Sequence, residues 1–489
     1  MAGFTPTAEQ EQVIDLFSTE RDVAVQALAG TGKTSTIELL ARSTPRRGRY
    51  LVFNKAASND AAARMPLSME CSTIHSLAFR AYGHRFSHRL GGGRVQSWRL
   101  AQLMGIDPFM VTVDDRNKLL QPSMLASWTI RALKVFCQSG DDEPSWRHFP
   151  YLEGIDDHPE PGVKGYRNNR ALAKALEPKL AEAWEDWQSP GGKLPYDHSA
   201  YLAGYVLGDP RVPVDYIAAD EFQDQSGRML QLVAYNQARG VQLVATGDVQ
   251  QHLYGFTGAV DGFERLDFAA TGWLTGSFRF GQGLADVANL ALRKLGSQAM
   301  LQGLAAHDST VGEVEDPRAV LCRTNSGAVE QVLKLRKRGL RPHLVGGAAE
   351  VVRFAKAVAD LQEGRKTYHP ELACFDSWAQ VIEYTEQDPS GDELKLMVDL
   401  VREYGVQIIC DALDGLPAEE YADVIVSTVH KSKGREWETV RLAGDFQEPS
   451  PGPEGAPEWR VGYVACTRAK RVLDPRACGP VQALIGGAA

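Results

Sequence analysis

The segment Ala27-Leu28-Ala29-Gly30-Thr31-Gly32-Lys33-Thr34 constrains this chain more than any other. Before it, DVAVQAL is a short apolar run of strand-like composition; after it, STIELLAR spaces its apolar residues as a helix does. A strand, a glycine turn and a helix form the setting in which a loop can wrap a phosphate group. Gly30 and Gly32 let successive backbone N–H groups converge on one anion. The helix that follows presents its positive end to the same anion. Lys33 adds a full charge near the β and γ phosphates, and Thr34 a hydroxyl for Mg²⁺. The general pattern has glycine where this chain has Ala27, but the tight part of the turn is intact.

A second strand-like run, VDYIAA, ends in Asp220-Glu221-Phe222-Gln223-Asp224. Open α/β sheets bind ligands at the carboxyl ends of parallel strands. Asp220 is therefore expected to hold Mg²⁺, and Glu221 to orient and deprotonate an attacking water. Without the glycine loop, the same residues would read as a cluster capping the next helix. A third run, VQLVATGD, leads into Val249-Gln250-Gln251-His252-Leu253-Tyr254-Gly255-Phe256. A carboxamide both donates and accepts hydrogen bonds, which suits Gln251 to sensing a γ phosphate. Tyr254 and Phe256 offer faces for stacked bases, although aromatic residues are more often core.

With 489 residues the chain exceeds one hydrophobic core, and its 44% hydrophobic and 24% charged composition is globular. No stretch approaches the roughly 18 apolar residues of a membrane span, and the N-terminus lacks the order of a signal peptide. Its seven cysteines are scattered without a CxxC pair, which speaks against a disulfide framework or zinc site and for a reducing cytoplasm. The net charge of −9 does not advertise nucleic-acid binding, yet a local basic groove can hold phosphates on an acidic protein. Two basic runs, Arg42 to Arg49 and Lys334 to Arg341, read on their own as solvated faces.

The motif order resembles superfamily 1 helicases of the UvrD, Rep and PcrA type, especially the F-box DNA helicase branch, with short bacteriophage forms also similar. Thr7-Ala8-Glu9-Gln10 looks like the Q motif, whose Gln10 would read adenine. Phe53-Asn54-Lys55 and Ser72-Thr73-Ile74-His75 resemble segments that touch single-stranded DNA, through Phe53, Asn54, Lys55, Thr73 and His75. DEFQD matches the branch's acidic motif, and GDVQQHLYGF its motif III, with Phe256 at the base-stacking position. Relatives commonly carry Arg after that aromatic; this chain has Thr257, so a cationic link between nucleotide and DNA is missing or supplied elsewhere. LTGSFR resembles motif IV, in which Phe278 would stack on adenine and Arg279 reach the γ phosphate. LCRTN is a further family signature. TVHKSKGREW resembles motif V, with Glu436 on the ribose and Thr428 and His430 near DNA; YVACTRA resembles motif VI, with Arg468 as arginine finger.

The resemblance implies an α/β fold of two RecA-like parallel-sheet domains of the P-loop NTPase type with helical insertions. The first domain is expected over 1–76 and 205–270, a helical insertion over 77–204, the second domain over 271–345 and 421–489, and a reduced insertion over 346–420. ATP would be cradled by Gln10, Ala29, Gly30, Thr31, Gly32, Lys33, Thr34, Phe278 and Glu436, with Mg²⁺ on Thr34 and Asp220. Catalysis would fall to Lys33, Asp220, Glu221, Gln251, Arg279 and Arg468, and strand contacts would extend to Tyr254, Phe256, Thr428 and His430. The implied activity is an ATP-dependent single-stranded DNA translocase and helicase, moving 3′ to 5′, that serves repair, replication or recombination in the cytoplasm of a bacterial or phage-infected cell. Its partners would be single strands and duplex junctions, with no membrane. A translocase that strips proteins without unwinding, or a nucleotide-gated DNA-binding protein with weak hydrolysis, are the alternatives.

Overall fold

The structure, a computed structural model, describes residues 5–52, 54–91, 95–113, 116–150, 152, 155, 169–253, 260–367, 369, 371–373, 375–387 and 392–487. Its strands are, in chain order, β1 (Val23–Ala27), β2 (Gly48–Leu51), β3 (Met69–Ser72), β4 (Phe109–Val113), β5 (Arg116–Leu120), β6 (Tyr216–Ala219), β7 (Gln242–Gly247), β8 (Ala270–Leu274), β9 (Gly276–Ser277), β10 (Gln302–Gly303), β11 (Thr310–Val311), β12 (Ala319–Cys322), β13 (Pro342–Leu344), β14 (Val424–Thr428), β15 (Trp437–Leu442) and β16 (Ala469–Asp474).

Two six-stranded sheets organise one compact unit, made of residues 1–76, 210–347 and 415–489. The first runs β3-β2-β6-β7-β1-β8 and the second β11-β16-β15-β12-β14-β13, with every neighbouring pair parallel. These are the two RecA-like α/β domains that the motif order implies. Strands β6, β7 and β14 are buried along their whole length, which is why they read as unbroken runs of small and β-branched residues rather than alternating ones. One core, around Val25, Ile37, Tyr50 and Val244, lies about the first sheet; another, around Leu284, Leu321, Val440 and Val464, lies about the second.

Residues 271–274, expected to open the second domain, instead pair with β1 in the first sheet, from Val23 opposite Ala270 to Ala27 opposite Leu274. The sequence hides this strand because it lies at the sheet edge and is only half-buried, so ATGWL carries no sustained apolar run. The helix Ala8–Ser18 covers it, and Val13 lies so close to Gly272 that a Cβ there would come within 2.8 Å. The chain leaves the first sheet at Thr275, and β9 then pairs with β10 in a separate two-stranded sheet.

A second compact unit comprises residues 77–209 and 348–414. Its first part holds the helices Pro122–Gln138, Asn169–Gln188 and His198–Leu207. The expected helical insertion also carries an antiparallel hairpin, β4 with β5, too short and too polar at Arg116-Asn117-Lys118 to stand out from its neighbours. Among the described residues, the part at 348–414 holds four α-helices between Ala349 and Leu413. Among the described residues no helix is long and apolar enough to cross a membrane.

Trp128 anchors the core of this unit. Its ring lies 4.5 Å from that of Phe149, and its Nε1 donates to the Pro150 carbonyl at 2.8 Å. Trp184 and Trp187 pack in the same core. Trp128→Ala should cost about 3–5 kcal/mol through the cavity it leaves. Trp128→Phe should cost less, about 1–3 kcal/mol, chiefly through the carbonyl left without a donor. Urea unfolding followed by circular dichroism measures both, and equal losses would place the energy in the hydrogen bond rather than the packing.

Candidate nucleotide site and nucleic-acid interface

The glycine loop leaves β1 and turns through Gly30 and Gly32 at φ +75° and +81°, values that only glycine adopts readily. The helix Lys33–Arg42 starts directly after it. Lys33 Nζ donates to the Ala27 carbonyl at 3.2 Å, so residue 27 contributes its backbone and needs no particular side chain. Thr31 Oγ1 donates to the Leu28 carbonyl and closes the turn. Ala29 N–H donates to the phenol of Tyr463, from the helix Ala456–Cys466 next to the second sheet. Gln10 Oε1 accepts from Thr7 N–H and its Nε2 donates to Thr36 Oγ1, so the capping residue of the first helix orients the Gln10 carboxamide beside Gly32. The Phe278 ring lies against Gly32 and is 40% exposed. Thr7, Glu9, Thr31, Phe278 and Leu304 line a cavity beside it.

Asp220 and Glu221 follow β6. Tyr50 on β2 donates its hydroxyl to Asp220 Oδ2 at 2.9 Å and lies near the Thr34 hydroxyl. Thr246 Oγ1 and Glu221 N–H donate to Asp220 Oδ1. Burial and the neighbouring Glu221 charge push the Asp220 carboxyl above its usual range, a cost that a cation would relieve. A hydroxyl and a carboxylate gathered around one phenol form a hard oxygen donor set, and Thr34 with Asp220 fits a divalent cation such as Mg²⁺. Glu221 takes a left-handed backbone, φ +50°, rare for a residue with a side chain and typical of functional turns. Burial works against its negative charge, but the ammonium groups of Lys433 and Lys33 outweigh this and hold its carboxyl well below the ordinary range.

Gln251 connects the two sheets. Its Nε2 donates to Asp248 Oδ2 at 2.7 Å, and its Oε1 accepts from Arg468 at 3.4 Å. Asp248 Oδ2 also accepts the Tyr463 hydroxyl. Arg468 is 2% exposed, and its hydrogen-bond partners are the neutral Val464, Arg435, Gln251 and Thr467 oxygens. Burial first, then the like charge of Arg279, push its pKa down to about 9. Such a guanidinium is poised to gain from an anion. Arg279 donates to Glu436 at 2.6 Å and to the Thr467 carbonyl at 2.8 Å, while Phe278 N–H donates to the Gly30 carbonyl. Glu436, expected on the ribose, is here paired with Arg279 and Lys470.

The expected strand contacts sit at strand ends. Asn54 caps the helix Lys55–Arg64, accepting from Ala57 N–H at 2.8 Å, and both Asn54 and Lys55 are exposed. Thr73, just past β3, is buried and accepts from Ser76 N–H, while His75 is exposed. Thr428 ends β14 and is buried; partly buried His430 follows it. Burial, then the nearby Arg323 charge, lower the His430 pKa to about 4, so the ring is neutral at pH 7. Phe53, Tyr254, Phe256 and Thr257 lie outside the described residues. The two basic runs mostly serve the fold: Arg42 pairs with Glu38, Arg46 lies over Phe17 and Tyr216, Arg49 pairs with Glu70 and Arg341 with Asp423.

Sequence reasoning passed over Tyr50, Asp248, Tyr463 and Lys433. Lys433 Nζ lies 3.1 Å from Glu221 Oε2 and also pairs with Asp224. Asp248 and Lys433 stood inside quoted motifs, and their signal was an unassigned charge in an otherwise assigned segment. In LCRTN, Arg323 grips Glu458 through two nitrogens, which fixes the helix that carries Tyr463.

Comparison with known proteins agrees with this geometry. A family model described as an AAA domain matches residues 10–257, and one described as the UvrD-like helicase C-terminal domain matches residues 348–474. The chain is similar to F-box DNA helicase protein 1 of Schizosaccharomyces pombe, 27% identical across 96% of this chain and 57% of that protein. It is also similar to F-box DNA helicase 1 of Gallus gallus, 26% identical across 96% of this chain and 48% of that protein. The chain thus spans about half the length of these curated relatives. It belongs to the UvrD-like helicases of superfamily 1, close to the F-box DNA helicase branch.

Proposed function

We propose that this chain is an ATP-driven motor that moves 3′ to 5′ along single-stranded DNA and separates duplex at junctions. The observation that carries the reading is the contact between the buried Arg468 guanidinium and the Gln251 carboxamide, beside the lysine loop and the carboxylate pair. Phosphoryl transfer spreads negative charge over the transferring group, and catalysis is mostly positioning and electrostatics. In this reading Ala29, Gly30, Thr31 and Gly32 cradle the phosphates, and Lys33 neutralises the β and γ oxygens. Gln10 and Phe278 hold the adenine, and Glu436 exchanges its arginine partner for the ribose. Thr34 and Asp220 hold Mg²⁺, which when bound adds positive charge at the phosphate oxygens. Glu221 orients the water and takes its proton. Gln251 senses the γ phosphate, and Arg279 and Arg468 meet the charge that develops there.

Lys33 and the carboxylates hang from the first sheet and Arg468 from the second, while Arg279 follows β9. Full stabilisation of the transition state therefore requires the two sheets to close on the nucleotide, and product formation loosens them. Strand contacts at Phe53, Asn54, Lys55, Thr73 and His75 on one side, and at Thr428 and His430 on the other, then change their spacing once per turnover. In this reading Tyr254 and Phe256 supply faces on which bases stack. Alternate gripping converts that change into steps.

Arg468→Ala is expected to lower turnover about 10³-fold or more, as loss of an arginine finger does, while ATP binding persists. Lys33→Ala should abolish turnover and weaken binding. DNA-stimulated phosphate release together with equilibrium binding of a fluorescent ATP analogue checks both, and near-normal turnover of Arg468→Ala would remove that arginine from the mechanism. On tailed duplexes, ATP-dependent strand separation is expected with a 3′ tail, not with a 5′ tail, and not with Lys33→Ala. Movement on single strands without separation of either duplex would leave a translocase.

A further inference from the structure

We propose that Arg460 is a strand-binding residue: its guanidinium takes a backbone phosphate of the single strand beside His252, where the neighbouring chain offers no arginine or lysine of its own. The proposal rests on the motor reading above and adds a named phosphate contact to its strand side.

Arg460 belongs to the helix Ala456–Cys466, which packs on the turn Val249–Gln251. It stands three residues before Tyr463 and so shares that residue's face of the helix. That face meets the loops of the first sheet: the Tyr463 hydroxyl donates to Asp248, the residue that caps the turn. One helical turn back, Arg460 is close enough for its charge to act on His252 and on Asp261. The helix is held in this attitude by Arg323, which grips Glu458 through two nitrogens. Yet the guanidinium is unpaired. Its Nε is enclosed and has no acceptor, and among the described residues no carboxylate lies within ion-pair distance of it. Other arginines that follow the second sheet meet acids: Arg435 pairs with Glu419, Arg441 with Asp474 and Arg471 with Glu438. Asp261 instead gives its Oδ1 to Phe263 N–H as a helix cap. His252 turns its Nδ1 to the Gln223 carbonyl and the Asp224 carboxylate, so that nitrogen carries a proton and offers the arginine no acceptor.

A partly buried guanidinium whose enclosed Nε has no partner gains from an anion, because charge-assisted hydrogen bonds are the strong ones. The phosphates of ATP are not that anion. Arg460 lies about two helical turns before Arg468, on the order of 10 Å along the axis, and Tyr463 stands between them. The segment from Leu253 to Val260 contains neither Lys nor Arg, and Tyr254 and Phe256, assigned above to stacked bases, fall within it. Bases stacked there hang from a sugar–phosphate backbone that requires a cation from elsewhere in the fold. Arg460 is an arginine whose charge reaches both His252 and Asp261, the residues that bracket this segment. Nothing covalent is involved; a phosphate replaces solvent at the guanidinium, and such a contact carries no sequence preference.

Fluorescence anisotropy of labelled oligothymidine, titrated across a range of NaCl, tests this in the wild type, Arg460→Gln, Arg460→Lys and Asp261→Asn. Arg460→Gln should weaken binding about tenfold at low salt, the size of one lost charge-assisted hydrogen bond. Its plot of log affinity against log salt should be shallower by about 0.7, the share of one phosphate on a single strand. Arg460→Lys keeps the charge, so its slope should match the wild type while part of the affinity goes with the planar fork. A mixed-sequence oligonucleotide should lose as much as oligothymidine does. Asp261→Asn keeps the helix cap and removes a negative charge beside the arginine, so it should tighten binding. The strand concentration for half-maximal ATP turnover should rise in Arg460→Gln by the same factor as Kd. An unchanged affinity overturns the proposal, and so does a weaker one at unchanged slope, which marks lost packing rather than a lost phosphate. Weaker or unchanged binding in Asp261→Asn overturns it too, since Arg460 would then serve a pair inside the protein. Thermal melting identifies any variant that fails to fold; should Arg460→Gln unfold, Asp261→Asn decides. A wild type that binds no single strand would instead overturn the motor reading.

Discussion

Carboxylates crowded at the ends of buried strands require positive charge within a few ångströms. Asp220, Glu221, Asp224 and Asp248 all lie at the ends of β6 and β7. Lys33 answers them from within the first sheet; Lys433 reaches them from the second, and Arg468 lies beside them. The seam is consequently held by polar groups whose strength depends on what else is bound there. An apolar seam would favour one closed state, whereas a charged one can change partners as anion and cation come and go. That property suits the repeated opening and closing that the proposed motor requires.

The parts of this design most visible in the sequence are those with few physical alternatives. Gly30 and Gly32 need left-handed backbone, so their spacing before Lys33 identifies the loop. Asp220 and Glu221 end an apolar run, and the glycine loop elsewhere in the chain is what distinguishes them from a cluster capping the next helix. The parallel sheets are visible because β6, β7 and β14 are buried on both faces. Less visible is whatever depends on tertiary placement. β8 sits at an edge and shows no run, so residues 271–274 read as the start of the next domain. Tyr463 looks like any helical core tyrosine until its hydroxyl is seen between Ala29 N–H and Asp248. Lys433 lies in a segment rich in basic residues, and only folding shows which of them turns inward.

Net charge says little about where this chain would touch a polyanion. The most basic stretches, at Arg42 to Arg49 and Lys334 to Arg341, are drawn into pairs with Glu38, Glu70, Glu330 and Asp423 and hold the fold together. Several of the expected strand contacts are uncharged: Asn54, Thr73, Thr428 and a His430 kept neutral by burial. Contacts of this kind grip backbone and bases through hydrogen bonds and stacking, and they leave a smaller imprint of salt than a lysine-lined groove would.

Gly30 also sets the clearance of the joint. A Cβ at this position would come within 2.5 Å of Ser277 Oγ and 2.7 Å of Arg279 Cβ, in addition to the strain of its backbone. Main-chain bonds from Leu28 N–H to the Leu274 carbonyl and from Phe278 N–H to the Gly30 carbonyl fasten the same place. The fastening here is largely backbone, with Thr275 and Arg279 adding side-chain bonds to Glu9 and Glu436, and a single added methyl at residue 30 would wedge it apart.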